Sequence, residues 1–199
     1  MIPLIDKLDI NTINDTITSI NNALSSAPQQ STPAPVSSAG SGLLIWDKLI
    51  NGNAVTAVTT NGEVTLDANT HGGYEFEFII YNPTGGLIVP RLYYNNDTTN
   101  TNYDFTDAAG AVWGNDAILG VTAGVPTGEE HVIRGTIHIS PRGYVSAIHE
   151  RISQHPTHEA NNGVHHKNAA VTNLTRIDVV SSVANGIGRK SRFRLWRRK

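Results

Sequence analysis

Apolar residues near the amino end recur at Ile10, Ile13, Ile17, Ile20 and Leu24, alternately three and four positions apart, which is the a/d seam of two coiled-coil heptads. The positions between them are small or polar, so the pattern predicts a helix with one apolar edge that needs a partner. Isoleucine at both a and d favours three or four strands over two, and the e and g sites, Asn14, Thr16, Asn21 and Ala23, carry no charge to select a different chain. A homotrimeric stalk is the expectation. The alternative is one amphipathic helix docked on a domain, because about 15 residues rich in Asn and Thr are marginal as a free helix in water.

Residues 25–42, "SSAPQQSTPAPVSSAGSG", hold three prolines, six serines and no charge, the composition of an extended linker. Beyond it the period changes to two. Runs at 43–49, 54–60, 63–67, 74–82, 86–94, 117–122, 130–140, 144–153, 170–182 and 191–196 predict strands, several in strict alternation. In "YEFEFII" Tyr74, Phe76 and Phe78 point one way and Glu75 and Glu77 the other; Ile133, Ile137 and Ile139 share a face with Gly135 between them. Turn signals such as "NPTGG" and "SPRG" separate most runs. The chain therefore predicts a mainly β fold, a jelly-roll-like β-sandwich over 43–199, preceded by a short helix over 1–24 and the linker over 25–42.

Charge divides the chain. The formal net charge is −2, but seven of the fifteen Lys and Arg lie between Arg189 and Lys199, leaving residues 1–188 with eight basic against seventeen acidic groups. A basic terminus beside an acidic body is suited to steering toward an acidic protein surface or a neighbouring copy. The absence of cysteine excludes a disulfide framework and thiolate metal sites. No stretch approaches the roughly 18 unbroken apolar residues of a membrane helix, and "MIPLIDKLDINT" lacks the basic and apolar regions of a secretion signal. The expectation is a chain that meets neither membrane nor nucleic acid.

Residues 91–105, "RLYYNNDTTNTNYDF", set eight Asn, Asp and Thr residues between two tyrosines and the Tyr103–Phe105 pair. Asn and Asp accept left-handed backbone angles and bond their own main chain, so the segment reads as an ordered surface loop with aromatic anchors. This stretch resembles a segment of the terminal β-sandwich domains of tailed-bacteriophage virion proteins, and "NLTRIDVVSSVANGIGRKSRFRLWRR" is similar to the way such domains end. The likeness covers roughly residues 43–199; where that family typically has "IGAGS", this chain has "IGRKS". The resemblance implies a non-enzymatic virion surface protein of head-decoration, head-fibre or tail-fibre type, self-associated as a homotrimer. Its partners would be phage capsid or tail proteins, with a host surface glycan as a further candidate. Ile2, Leu4, Ile5 and Leu8, which break the heptad register, are then the candidate virion anchor.

Candidate chemistry is sparse. In the terminal cluster Arg192 and Arg194 fit the solvent face of a last strand, while Arg189, Lys190, Arg197, Arg198 and Lys199 exceed that need and form a candidate basic contact patch. Six of the eight histidines fall between His138 and His166. His155, His158 and His165 are the metal candidates, although their spacing matches no zinc template, and no cofactor is implied. Residues 154–168, "QHPTHEANNGVHHKN", read as an exposed loop tip. Tyr103, Trp113 and His158 are plausible walls of a ligand pocket in a glycan-binding adhesin. The one close carboxylate pair, Glu75 and Glu77, sits on a strand face and reads as solvated surface; no residue is assigned a catalytic role.

Overall fold

A computed structural model describes residues 42–107, 109–120, 124–140, 142–153, 158–167 and 173–198, together with Thr18; for 153 and 158–161 it describes the backbone alone. The chain divides into residues 1–36 and 37–199. Of the first unit only Thr18, in helical conformation, is described, so the seam Ile10, Ile13, Ile17, Ile20 and Leu24 and the anchor Ile2, Leu4, Ile5 and Leu8 lie outside the described residues.

The second unit is mainly β. Eleven strands are described: β1 (Leu43–Leu49), β2 (Ala57–Thr59), β3 (Tyr74–Tyr81), β4 (Pro90–Tyr94), β5 (Tyr103–Thr106), β6 (Val112–Gly114), β7 (Glu130–Ile139), β8 (Val145–Ser153), β9 (His158–His166), β10 (Ile177–Ser181) and β11 (Arg192–Arg197). One sheet has eight strands in the order β1-β11-β3-β7-β8-β9-β5-β6; the other has three, β2-β10-β4. The named strand pairs are antiparallel throughout, with the first strand beside the last. The sheets face each other in a sandwich-like arrangement.

Period-two alternation is what folds the large sheet. In β3 Tyr74, Phe76, Phe78 and Ile80 are buried while Glu75, Glu77, Ile79 and Tyr81 lie on the other face. Phe193 and Leu195 of β11 join them, as do Ile133 and Ile137 of β7. Val58, Leu92, Val179 and Ile177 close the core from the small sheet. The tyrosines tie the layers: the Tyr94 hydroxyl reaches the Val164 carbonyl at 3.4 Å, and the Tyr94 and Tyr103 rings lie 5.9 Å apart.

Several expected strands take another form. The 63–67 run instead follows a turn in which the Thr60 carbonyl accepts both Glu63 N–H and Val64 N–H. It then feeds α1 (Ala68–His71), whose N-cap Asp67 accepts from Thr70 N–H at 3.3 Å and whose C-cap Gly72 has φ 64°. Of the 117–122 run, the described residues 117–120 meet β4 through two backbone bonds, Leu92 N–H to Ala117 O and Leu119 N–H to Pro90 O, both 2.8 Å. The largest correction concerns the histidine-rich segment. Its residues 158–166 are not a loop tip but β9, an internal strand between β8 and β5. Asn, His and Gly have low strand preference, and pairing on both sides overrides it.

Candidate interaction surface

The outward face of the large sheet follows from its register, and four rows cross it. One runs Leu49–Arg192–Ile79–Val132–Ile152. The next alternates in charge, Asp47–Arg194–Glu77–Arg134–Glu150. The third runs Trp196–Glu75–Thr136–Ile148–Gly163–Thr106, and the fourth places His138, Ser146, His165 and Asp104 side by side. Ile148 is 50% exposed, and Leu49 and Ile152 are also open to solvent. Branched aliphatics thus flank a charged row on a face that a solvated antiparallel sheet would make polar.

The charges on this face meet one another. Glu77 accepts from Arg134 Nε at 2.7 Å and from Arg194 Nη1 at 2.9 Å. Asp47 takes both Nε and Nη2 of Arg192, at 2.8 and 2.6 Å, and that hydrogen-bonded pair holds its carboxyl below the ordinary range. Arg198 Nε lies 4.0 Å from Glu75 Oε1, and its Nη1 lies 3.1 Å from His138 Nε2. Burial first, and the Arg198 charge second, hold the His138 pKa down. Glu75 and Glu77 are therefore members of ion pairs on one strand face, as their alternation suggests.

The terminal basic residues do not form one patch. Arg189 and Lys190 sit in the turn before β11, and Arg197 and Arg198 at its far end, so the six-residue strand separates them by about 20 Å. Arg198 is engaged with Glu75 and His138, Arg189, Lys190 and Arg197 are exposed, and Lys199 lies outside the described residues. The "IGRKS" turn packs tightly despite its charges. A Cβ on Gly188 would lie 2.7 Å from the Tyr81 ring, and Lys190 itself takes φ 81°.

The three pocket candidates are likewise separated. Tyr103 is fully buried; its hydroxyl accepts from Tyr94 N–H at 2.9 Å and donates to the Asp97 carbonyl at 2.8 Å. Burial raises its pKa. It is an internal tie, not a pocket wall. Trp113 is 51% exposed on the edge strand β6 beside Val112 at 66%, and its indole N–H donates to Asp107 Oδ2 at 3.1 Å. The backbone of His158 pairs with Ile152 six positions along β9 from Val164, in the row of Trp113, about 20 Å away. His158 and His165, seven residues apart on the same strand, are separated by about 23 Å, too far to share one ion. His155 lies outside the described residues. The His165 ring folds back over Gly163, where a Cβ would meet Nε2 at 2.6 Å.

The Asn/Asp/Thr segment is the ordered loop its composition suggests. Asn95 and Asn96 have φ 51° and 66°, and Asp97 N–H closes the turn on Tyr94 O at 3.0 Å, a reverse turn of the primed type. Asp97 then receives Asn102 Nδ2 at 2.7 Å and contacts His166 Nε2 at 3.0 Å, while the Tyr93 hydroxyl bonds Asn100 Oδ1. Comparison of the chain with protein-family models, curated proteins and solved structures finds no match.

Proposed function

We propose that this chain is a non-enzymatic structural protein of a bacteriophage particle, a homotrimeric surface decoration or fibre protein attached through its amino end, with the β-sandwich carried outward. The observation that carries the reading is the five-residue aliphatic seam Ile10, Ile13, Ile17, Ile20 and Leu24, set before a linker and a β-rich body. On a free helix those side chains stay in water; three copies packed together remove them from it. The outer face of the large sheet supports the same reading. Half-exposed Ile148 and Ile152 flank a row whose arginines already meet carboxylates, so covering it strands none of those charges. Arg189, Lys190 and Arg197 remain available for an acidic neighbour.

The test is the mass of the full chain in solution at micromolar concentration, by light scattering and sedimentation. A trimer that Ile13→Asp with Ile17→Asp converts to monomer is expected; a wild-type monomer refutes the reading. Antibody labelling of purified particles then separates head from tail. A second reading, a tail-attached glycan-binding adhesin, is favoured by half-exposed Trp113, an aromatic platform whose indole is steadied by Asp107. It requires a glycan-array signal that Trp113→Ala abolishes.

A further inference from the structure

On the inward face of the large sheet the row Phe76–Gly135–His149–Asn162 crosses four strands. Its last two members are polar, yet His149 is 2% exposed and Asn162 0%. His149 Nε2 accepts the Gly120 N–H at 2.9 Å. That bond leaves the ring proton on Nδ1, and Nδ1 has no hydrogen-bond partner. Neither the oxygen nor the nitrogen of the Asn162 carboxamide has one either. Direct cross-strand neighbours have Cβ atoms about 5 Å apart, so the unpartnered His149 Nδ1–H and the unpartnered Asn162 carboxamide belong to side chains buried side by side on adjacent strands.

Each polar group left bare in a core costs about 1–3 kcal/mol, and native interiors rarely leave several together. A direct bond from Nδ1–H to the Asn162 oxygen would satisfy one group on each residue and leave both amide N–H donors unmet. The groups present are donors and an acceptor together, so the guest must both give and take hydrogen bonds and must be small. A metal ion is unsuited to a protonated Nδ1, and an anion would face the carbonyl. Water meets both requirements, and the three protein groups are the number that a buried water ordinarily bonds.

We propose that the His149–Asn162 pair is the binding site of one or two internal water molecules that bridge β8 and β9 inside the sandwich. The bridge joins the Nδ1–H of His149 to the carboxamide of Asn162 and lies on the His149 side opposite the Gly120 amide. Asn162 is thereby a specific requirement of the site, which accounts for an amide at an inward position of an internal strand.

The experiment is water-selective NMR on the full-length chain labelled with carbon-13 and nitrogen-15. Expected are water cross-peaks to the carbon-bound protons of His149 and Asn162, with the sign of water resident longer than about a nanosecond. In the double variant His149→Phe with Asn162→Leu, relaxation dispersion of water should count one or two fewer long-lived molecules. Two results overturn the proposal: no such cross-peaks in the wild type, or a coupling through a direct hydrogen bond from His149 Nδ1 to Asn162. The wild-type measurement decides the matter even if the double variant fails to fold.

Discussion

Acidification should destabilise this domain through His149. Its imidazole is fully buried, and burial, with the nearby His165 adding to the cost of a positive charge, brings its pKa from 6.5 down to about 4. The second proton would have to enter at Nε2, where the Gly120 N–H already points. The unfolded chain takes up the proton near the ordinary value and the folded chain does not, so stability is complete above that value and falls with pH until the folded pKa is reached. Between neutrality and about pH 5 the loss is about 2 kcal/mol, and by about pH 4 about 3 kcal/mol. For a domain of this size the first figure corresponds to a fall in Tm of about 4–8 °C. Urea unfolding of wild type and His149→Phe at both pH values isolates the effect, because the lowered carboxylates, Asp47 and Asp97 among them, lose their contribution mainly at lower pH. The variant should lose about 2 kcal/mol less on acidification than wild type. Equal losses in the two proteins refute the argument. So does an NMR titration in which the His149 ring protonates near its ordinary pKa in the folded state, a test that needs no variant.

Three further outcomes follow from the packing. Gly135→Ala would place a Cβ 2.3 Å from the Ile148 carbonyl oxygen, so it should cost about 3 kcal/mol or more in urea unfolding, whereas Gly52→Ala, with nothing within 4 Å, should stay within about 0.5 kcal/mol. Tyr103→Phe removes the hydroxyl that holds Tyr94 N–H and the Asp97 carbonyl and should cost about 1–3 kcal/mol, with faster amide exchange at Tyr94. Glu77→Gln weakens the hold on both Arg134 and Arg194; the exposed arginine limits the loss to about 1 kcal/mol, and the difference from wild type should shrink as salt is added.

Much of the architecture is legible along the chain because alternation leaves few ways to bury an aromatic strand. "YEFEFII" yields β3 with its inward face correctly divided, and "RFRLW" yields β11 with Phe193 and Leu195 inside. What alternation does not reveal is strand made of residues that rarely choose it. Among the described side chains of β9, "HEANNGVHH", the aliphatic that reaches the core is Val164. These residues become a strand because β8 and β5 offer hydrogen bonds on both edges, a tertiary cause with no local signal. The converse failure, at 63–67, is equally physical. Asp67 followed three positions later by Thr70 is an N-cap arrangement, and capping outweighs four residues of strand-like pattern.

The same contrast governs the candidate sites. Of the candidates singled out along the chain, the fold uses Tyr103 and Arg198 internally, while Trp113, Arg189, Lys190 and Arg197 stay exposed. Tyr103 is tied to the backbone at two points, Arg192 and Arg194 to carboxylates one strand away, and His149 to the amide of Gly120. A sandwich built from so many short strands has many backbone groups near its loops to satisfy, and hydroxyl, amide and imidazole side chains are the groups that reach them. The surface left for partners is then defined by what the fold does not consume: the aliphatics Ile148 and Ile152 on an otherwise charged face, Trp113 at an edge strand, and the exposed cations at either end of β11. Binding is better sought among these than among the residues that look most reactive in the sequence, because a side chain already holding the fold would have to surrender about 1–3 kcal/mol before it could engage anything else.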